Sequence, residues 1–97
     1  MRVISRRPLK QLARRYPAAK SELDAWFHDL EGADWSNPSE LKAQYGNASI
    51  LTGGRAVFNI CGNKFRVIVK INYSYRIVYV RFAGTHKEYD AIDANEI

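Results

Sequence analysis

The spacing of apolar residues changes near the middle of the chain. In the first half they recur every three or four residues, as on one face of a helix, and from Arg55 they alternate with polar residues, as in a half-buried strand. A short apolar segment at residues 1–5 predicts an edge strand. Two amphipathic helices are predicted after it. Their apolar positions are Leu9, Leu12, Ala13 and Tyr16 in the first helix and Leu23, Trp26, Phe27 and Leu30 in the second.

Proline, glycine and capping residues predict where these helices begin and end. Pro17 ends the first helix, because proline lacks the backbone N–H that a helix interior needs. Gly32 ends the second helix. The segment Asn37–Glu40 has the form of a helix cap, with asparagine at the cap, proline in the first position and glutamate in the third. It predicts a short third helix that runs to Tyr45.

Three strands are predicted in the second half, at Arg55–Cys61, Lys64–Tyr73 and Arg76–Phe82, all rich in β-branched and aromatic residues. Two-residue hairpin loops at Gly62-Asn63 and Ser74-Tyr75 connect them. The loops define the expected cross-strand pairs. In these pairs Cys61 faces Lys64, Asn59 faces Arg66, Ile71 faces Val78, Lys70 faces Tyr79 and Ile68 faces Arg81.

One face of this meander is apolar and forms the predicted core. It carries Ala56, Phe58, Ile60, Phe65, Val67, Val69, Ile71, Val78, Val80 and Phe82. Burying that face against the two helices predicts one α+β domain over residues 1–97. The predicted architecture is an N-terminal helix pair packed on a small antiparallel sheet, with a short C-terminal helical turn.

Charge is arranged in blocks along the 97 residues, which carry a formal net charge of +5. Residues 1–20 hold seven Lys or Arg side chains and no acid, whereas residues 21–40 hold six acids and no Lys or Arg. Residues 41–87 hold eight bases and no acid, and residues 88–97 hold four acids and no base. Positive fields of this kind attract phosphate polymers or acidic protein segments.

The composition excludes several classes of protein. No apolar stretch approaches the ~20 residues that a membrane helix needs, and no apolar region follows the basic start as it would in a secretory signal. The single cysteine, Cys61, cannot form an internal disulfide, which suits a reducing compartment. We therefore expect a cytoplasmic protein that makes no membrane contact.

The opposite face of the meander is polar and is the first candidate for function. It carries Arg55, Asn59, Lys64, Arg66, Lys70, Tyr79 and Arg81, with Val57 and Ile68 between them. Five cations without a carboxylate repel one another unless an anion is present, and Tyr79 could stack on a base while the cations hold phosphates. The alternative is an ordinary solvated face of a sheet.

A second candidate lies after the last predicted strand, in the segment Gly84–Asp90. Thr85 and Glu88 form a capping-box pair, which predicts a helical turn. Such a turn places His86 and Tyr89 on one side, three residues apart. Histidine titrates near neutrality and can act as a general acid or base, although a lone exposed histidine is often incidental. Two histidines and scattered carboxylates give no metal constellation, and no cofactor is expected.

Two segments of the chain closely resemble the HigB-type toxins of bacterial type II toxin–antitoxin modules. They are Val57–Val69, which reads VFNICGNKFRVIV, and Gly84–Asp90, which reads GTHKEYD. The resemblance extends to Trp35–Pro38 and Leu41–Ala43, and to the basic start. It implies a RelE-like fold and cleavage of messenger RNA, usually on the translating ribosome. It also implies a HigA-type antitoxin with a helix-turn-helix domain, through which the complex would contact operator DNA.

The resemblance also implies roles for individual residues. Arg66 matches the strand arginine that RelE-like nucleases use on the scissile phosphate. His86 and Lys87 fall where those enzymes place a further basic residue, and Tyr89 falls near their C-terminal tyrosine. Asn59 stands where RelE itself carries a lysine, so the resemblance implies no base role there.

The mechanism expected from these residues needs no metal, because RNA carries its own nucleophile in the 2′-hydroxyl. An enzyme must orient the attack, neutralise charge on the phosphoryl oxygens and move two protons. Arg66, with Lys64 and Arg81, would stabilise that charge, and His86 and Tyr89 are the acid–base candidates. The sequence leaves open which of the two is the acid.

Two other functions fit parts of the same pattern. A double-stranded-RNA-binding domain would use the basic surface without chemistry, but its second helix presents lysines to phosphate, whereas residues 88–97 are acidic here. A ParE-type toxin shares the fold and inhibits DNA gyrase instead of cutting RNA. The pairing of His86 with Tyr89 favours the nuclease.

Overall fold

One five-stranded sheet organises the molecule. A computed structural model describes all 97 residues, and the strands follow the order β1-β5-β4-β3-β2 across the sheet. The strands are β1 (Arg2–Ile4), β2 (Ser49–Ile50), β3 (Arg55–Ile60), β4 (Phe65–Asn72) and β5 (Ile77–Thr85). The helices are α1 (Arg7–Arg15), α2 (Lys20–Glu31), α3 (Pro38–Gln44) and α4 (His86–Asp90), and a 3₁₀ turn at Pro17–Ala19 joins α1 to α2. None of the helices combines the length and the apolar character that crossing a membrane requires.

The predicted α+β class is confirmed, as are the helix boundaries set by capping residues. Pro17 follows the end of α1, and the Asn37 side chain accepts a hydrogen bond of 3.0 Å from the backbone N–H of Glu40 at the start of α3. Gly32 follows α2 in a right-handed conformation, so the helix ends there without a left-handed cap. The sheet is mixed, because β1 pairs in parallel with β5 while the other strands are antiparallel.

The main core lies between the sheet and helices α1 and α2, and Phe58 stands at its centre. Its ring lies 5.4 Å from the ring centroid of Trp26, 5.1 Å from that of Tyr45 and 6.5 Å from that of Trp35. Phe58 is fully buried, as are the apolar residues of β4 that face the helices. Aromatic pairs at these distances add about 0.5–1.5 kcal/mol each to the effect of burial.

The predicted register holds along the first hairpin and fails halfway along the second. Asn59 pairs with Arg66, and Lys70 pairs with Tyr79, both as expected. A shift between Ile68 and Val69 then inserts one extra residue in β5, so Ile68 pairs with Phe82 and not with Arg81. Such a β-bulge reverses the alternation of faces beyond it. Phe82 was predicted in the main core, and the structure corrects this.

The outer face of the sheet, which we define as the face away from α1 and α2, carries a second small core. Val57 and Ile68 are buried there together with Ala94 of the C-terminal segment. Phe82, Tyr89 and Ile92 pack around them. The face predicted to be polar is therefore covered across its middle by the C-terminal segment. This apolar strip divides the polar residues of the outer face into two groups.

Candidate active site

The first group of polar residues lies at the end of the sheet where α4 begins. Asn59, Arg66 and Gly84 form a row across β3, β4 and β5. Gly84 leaves room for the Phe82 ring and the Glu88 carboxylate beside this row, because a Cβ atom there would lie 2.7 Å from the Phe82 ring and 3.0 Å from Oε1 of Glu88. A larger residue beside Arg66 would have to displace one of these two side chains.

The Arg66 side chain is held at two points and remains partly exposed. Its guanidinium carbon lies 5.7 Å from the centroid of the Tyr89 ring, a distance at which cation and ring attract each other. Its Nη1 atom donates a hydrogen bond of 3.4 Å to the main-chain carbonyl of Asn63. A guanidinium has five N–H donors, so most of them stay available to an anion.

Helix α4 is fixed to this end of the sheet through its first turn. The predicted capping box is present: Thr85 Oγ1 accepts from the Glu88 N–H at 3.1 Å, and Glu88 Oε1 accepts from the Thr85 N–H at 2.9 Å. The backbone N–H of His86 donates to the Lys64 carbonyl at 3.0 Å, which ties the turn to the β3–β4 hairpin. His86 and Tyr89 thus project from a turn with a defined position.

Glu88 also connects α4 to α1. Its Oε2 atom lies 3.0 Å from Nη1 of Arg15. The capping hydrogen bond from the Thr85 backbone, and then the bond from Arg15, hold the pKa of Glu88 below its ordinary value near 4.5. The hydrogen bond to Glu88 raises the pKa of Arg15. Nothing in the sequence points to this pair, because its members lie at opposite ends of the chain.

His86 is paired within its own helix. Its Nδ1 atom lies 3.1 Å from Oδ2 of Asp90, one helical turn further on. With Nδ1 facing the carboxylate, Nε2 is the nitrogen left to exchange a proton with a substrate. This pair was not predicted, although the spacing of four residues on a helix was a usable signal in the sequence.

Apart from Arg81, the remaining predicted residues divide between two places. Lys64 and Lys87 are exposed and lie next to the row that contains Arg66. Lys64 belongs to the β3–β4 hairpin, and Lys87 belongs to α4. Beyond the apolar strip, Arg55, Lys70 and Tyr79 form a separate row at the other end of the same face. There the Nε atom of Arg55 donates to the main-chain carbonyl of Ile97 at 2.8 Å.

Arg81 belongs to neither row. It is the extra residue of the bulge and is exposed, so the expected pairing beside Ile68 is wrong. The structure therefore brings Asn59, Lys64, Arg66, His86, Lys87 and Tyr89 to one end of the sheet, and it leaves Arg55, Lys70, Tyr79 and Arg81 elsewhere.

Cys61 is not suited to act as a nucleophile, even though it lies in the hairpin beside Lys64. Its pKa is raised, first by burial and then by the nearby carboxylate of Glu22, whose side chain accepts a hydrogen bond from the Cys61 backbone. A raised pKa keeps the thiol protonated at neutral pH. The structure contains no group of three or more His, Cys, Asp or Glu side chains placed to hold a metal ion.

A helix pair on one face of a five-stranded mixed sheet, followed by a short C-terminal helix, is consistent with the fold of a RelE-like toxin domain. The family model of the HigB toxins, described as the RelE-like toxic component of a toxin–antitoxin system, matches residues 19–92. The chain belongs to the HigB toxin family.

Curated relatives cover nearly the whole chain. The chain is 32% identical over 96 residues to the mRNA interferase toxin HigB of Escherichia coli K12, which covers 97% of this chain and 92% of the relative. The match to the mRNA interferase HigB of Shigella flexneri has the same identity and coverage. The mRNA interferase HigB of Escherichia coli O6:H1 is 29% identical over 94 residues, or 95% of this chain and 91% of the relative.

The stability of the folded chain should depend on the charge of Glu88, because Glu88 joins α4 to α1 through Arg15. Glu88→Gln keeps the capping hydrogen bond but removes the ion pair with Arg15. Because the pKa of Glu88 is lowered in the folded chain, its stabilising effect is complete above the ordinary value near 4.5 and is lost as pH falls through the folded pKa. We expect the variant to melt slightly below the wild type at neutral pH and at the same temperature in strong acid. Thermal melts across pH measure this.

Glu96→Gln is the matched control, because Glu96 is exposed and makes no ion pair. If its melting curve changed with pH as much as that of Glu88→Gln, the pair between α1 and α4 would not be the source of the effect.

Proposed function

We propose that this chain is the toxin of a type II toxin–antitoxin module and a metal-independent endoribonuclease that cleaves messenger RNA. The observation that carries the proposal is the contact between Arg66 and Tyr89 at the end of the sheet, beside the turn that presents His86. An arginine with free donors is suited to a phosphate, and α4, which follows this row, carries two residues capable of proton transfer. The names of the curated relatives support the same reaction.

The proposed reaction uses the RNA 2′-hydroxyl as nucleophile. Its oxygen forms a bond to the adjacent phosphorus, and the bond from phosphorus to the 5′-oxygen breaks. One proton leaves the 2′-hydroxyl and one is delivered to the 5′-oxygen, which gives a cyclic phosphate and a 5′-hydroxyl. Arg66 neutralises the charge that grows on the phosphoryl oxygens, and Lys64 adds to the positive field there.

The two protons are assigned to His86 and Tyr89, one each. Asp90 holds the imidazole of His86 through Nδ1, which leaves Nε2 as the nitrogen available for proton transfer. Tyr89 lies against Arg66, so its hydroxyl is the second candidate for proton transfer at a phosphate held by Arg66. Each such proton transfer typically contributes about 10²–10⁴-fold to the rate.

The proposed substrate is messenger RNA held on the ribosome. A surface formed by Arg6 and by Arg7, Lys10 and Arg14 of α1 contains no acidic side chain, and α1 packs on the face of the sheet opposite the outer face that carries Arg66. A second cationic surface of this kind suits a large polyanion, because it attracts phosphates that are not being cut. Ribosomal contacts would also orient the RNA and so complement a small active site.

The proposed neutralising partner is a HigA-type antitoxin with a helix-turn-helix domain. Membership of the toxin family implies an antitoxin. The complex would contact operator DNA through the antitoxin alone, and the toxin itself would not contact the DNA bases. A helix-turn-helix protein encoded in the adjacent reading frame would support this proposed partner.

The chemistry of the RNA ends tests the nucleophile. Cleavage reconstituted with translating ribosomes is expected to leave 2′,3′-cyclic or 3′-phosphate ends and 5′-hydroxyl ends. It should persist in EDTA once the magnesium needs of the ribosome are controlled for. Ends are mapped by ligation with and without phosphatase treatment. The appearance of 3′-hydroxyl ends would rule out attack by the 2′-hydroxyl.

Arg66→Ala should abolish toxicity while the chain remains folded. Arg66 lies on the outer face and not in the main core, so its removal leaves no large cavity. The loss of a charge contact in the transition state should reduce single-turnover cleavage on the order of 10²–10³-fold. Arg2→Ala on β1 is the matched control and should keep its activity. Equal rates for both variants would remove the row at this end of the sheet from the active site.

His86→Gln and Tyr89→Phe separate proton transfer from binding. Each keeps most of the size of the side chain, so both variants should bind the RNA–ribosome complex nearly as the wild type does. Their single-turnover cleavage at saturating enzyme should fall roughly 10²-fold or more. Thr85→Ala loosens the cap by about 1 kcal/mol and removes no reactive group, so it should have a smaller effect. Near-wild-type rates in both variants would contradict the proposed acid–base roles.

A further inference from the structure

A cleft with amide-bearing walls opens beside the row that contains Arg66. It has a volume of about 640 Å³ and lies at the edge of β3, beyond the two residue pairs that join β2 to β3. We call it the amide cleft. The lining residues on which its chemistry depends are Gln44, Gly46, Asn47, Asn59, Gly62 and Asn63.

The amide cleft is polar without being charged. Four of its lining side chains are amides, and no Lys, Arg, Asp or Glu contributes to its walls. The Oδ1 atom of Asn59 and the side-chain amide of Asn63 make no hydrogen bond within the chain, and the Asn59 Nδ2 atom makes only a long one of 3.4 Å to the Asn47 carbonyl. Amides that offer free donors and acceptors match the edges of nucleobases better than they match phosphates.

The amide cleft and the phosphate position share two residues. Asn59 is the cross-strand partner of Arg66, and the Asn63 carbonyl accepts the hydrogen bond from Arg66 Nη1. A phosphate bound to Arg66 would therefore lie beside two of the residues that line the cleft. The volume also falls within the usual range for ligand sites, roughly 300–1,000 Å³.

We propose that the amide cleft receives one unpaired nucleobase next to the scissile phosphate and makes cleavage depend on the identity of that base. The inference rests on the proposed function, because it names the part of the RNA that this site reads. Asn63 supplies free hydrogen-bonding groups at the rim, and Asn59 supplies them beside Arg66. Each well-formed pair of bonds to a base discriminates by about 1–3 kcal/mol, or roughly 5–150-fold.

Gly46 offers a way to fill the cleft without straining the fold. A Cβ atom at Gly46 would meet nothing within 4 Å, and its backbone is not in the left-handed region. Gly62, by contrast, has a φ of +68°, so a side chain there would strain the hairpin. Gly46→Leu is therefore the blocking variant. Gly32→Leu is the matched control, because Gly32 lies at the end of α2 in an ordinary right-handed conformation.

The experiment uses the full chain, translating ribosomes and a pool of messages with randomised codons. Base frequencies around each cut give the preference of the enzyme. For the wild type we expect one position next to the cut to show a preference of roughly 5-fold or more. Gly46→Leu and Asn63→Leu should reduce it to less than about 2-fold, mainly through slower cleavage of the preferred sequence. Gly32→Leu should retain the preference.

A change in the RNA provides a second measurement that needs no protein variant. A message with an abasic residue at the preferred position should lose as much rate with the wild type as the intact message loses with Gly46→Leu. Combining the two changes should cause little further loss, because both remove the same interaction. Additive losses would overturn the inference.

The remaining outcomes separate this inference from the proposed function. If the wild type cuts no message, the proposed function fails and the inference fails with it. If the wild type cuts without a base preference, or folded Gly46→Leu and Asn63→Leu keep the preference, only the inference fails. It also fails if Gly46→Leu weakens neutralisation by the antitoxin and leaves the base preference intact, since the cleft would then be a protein contact.

Discussion

One extra residue in β5 determines the geometry of the whole outer face. Without the bulge, the register set by the second hairpin would place Ala83 opposite Arg66, whereas the shift places Gly84 there. The same shift moves Phe82 out of the main core and onto the strip formed by Val57 and Ile68. Because a change of one residue reverses the faces of a strand, the bulge determines both the second core and the place where α4 begins.

The second core explains why the cations of the outer face are not one continuous patch. Ile68 and Val57 are almost completely buried, and full burial of such side chains contributes about 1.5–3 kcal/mol each. That gain holds the C-terminal segment across the middle of the sheet. Arg55 and Lys70 are then separated from Arg66, so fewer like charges lie together at the candidate active site. The apolar strip thus reduces charge repulsion and supports the Tyr89 ring at the same time.

Local sequence patterns predicted the features that depend on neighbouring residues. The helices, the caps at Asn37 and Thr85 and the first hairpin register follow from spacing and turn chemistry, and the structure has all of them. The bulge was missed, because apolar residues alternate across it without interruption up to Phe82. The pair between Arg15 and Glu88 was missed because it joins distant parts of the chain. The amides of the cleft likewise come from separate elements, and no motif links them.

The carboxylates around the candidate active site are arranged so that its field stays positive. An acidic residue near a phosphate-binding arginine would normally repel RNA and weaken the site. Glu88 completes the capping box, and Arg15 pairs with it from α1. Asp90 orients His86, and the contact with the imidazole offsets part of its charge whenever His86 is protonated. Arg66, Lys64 and Lys87 have no acidic partner. The acids of α4 thus have nearby partners, whereas the three cations have none, and this balance suits the phosphates of the proposed substrate.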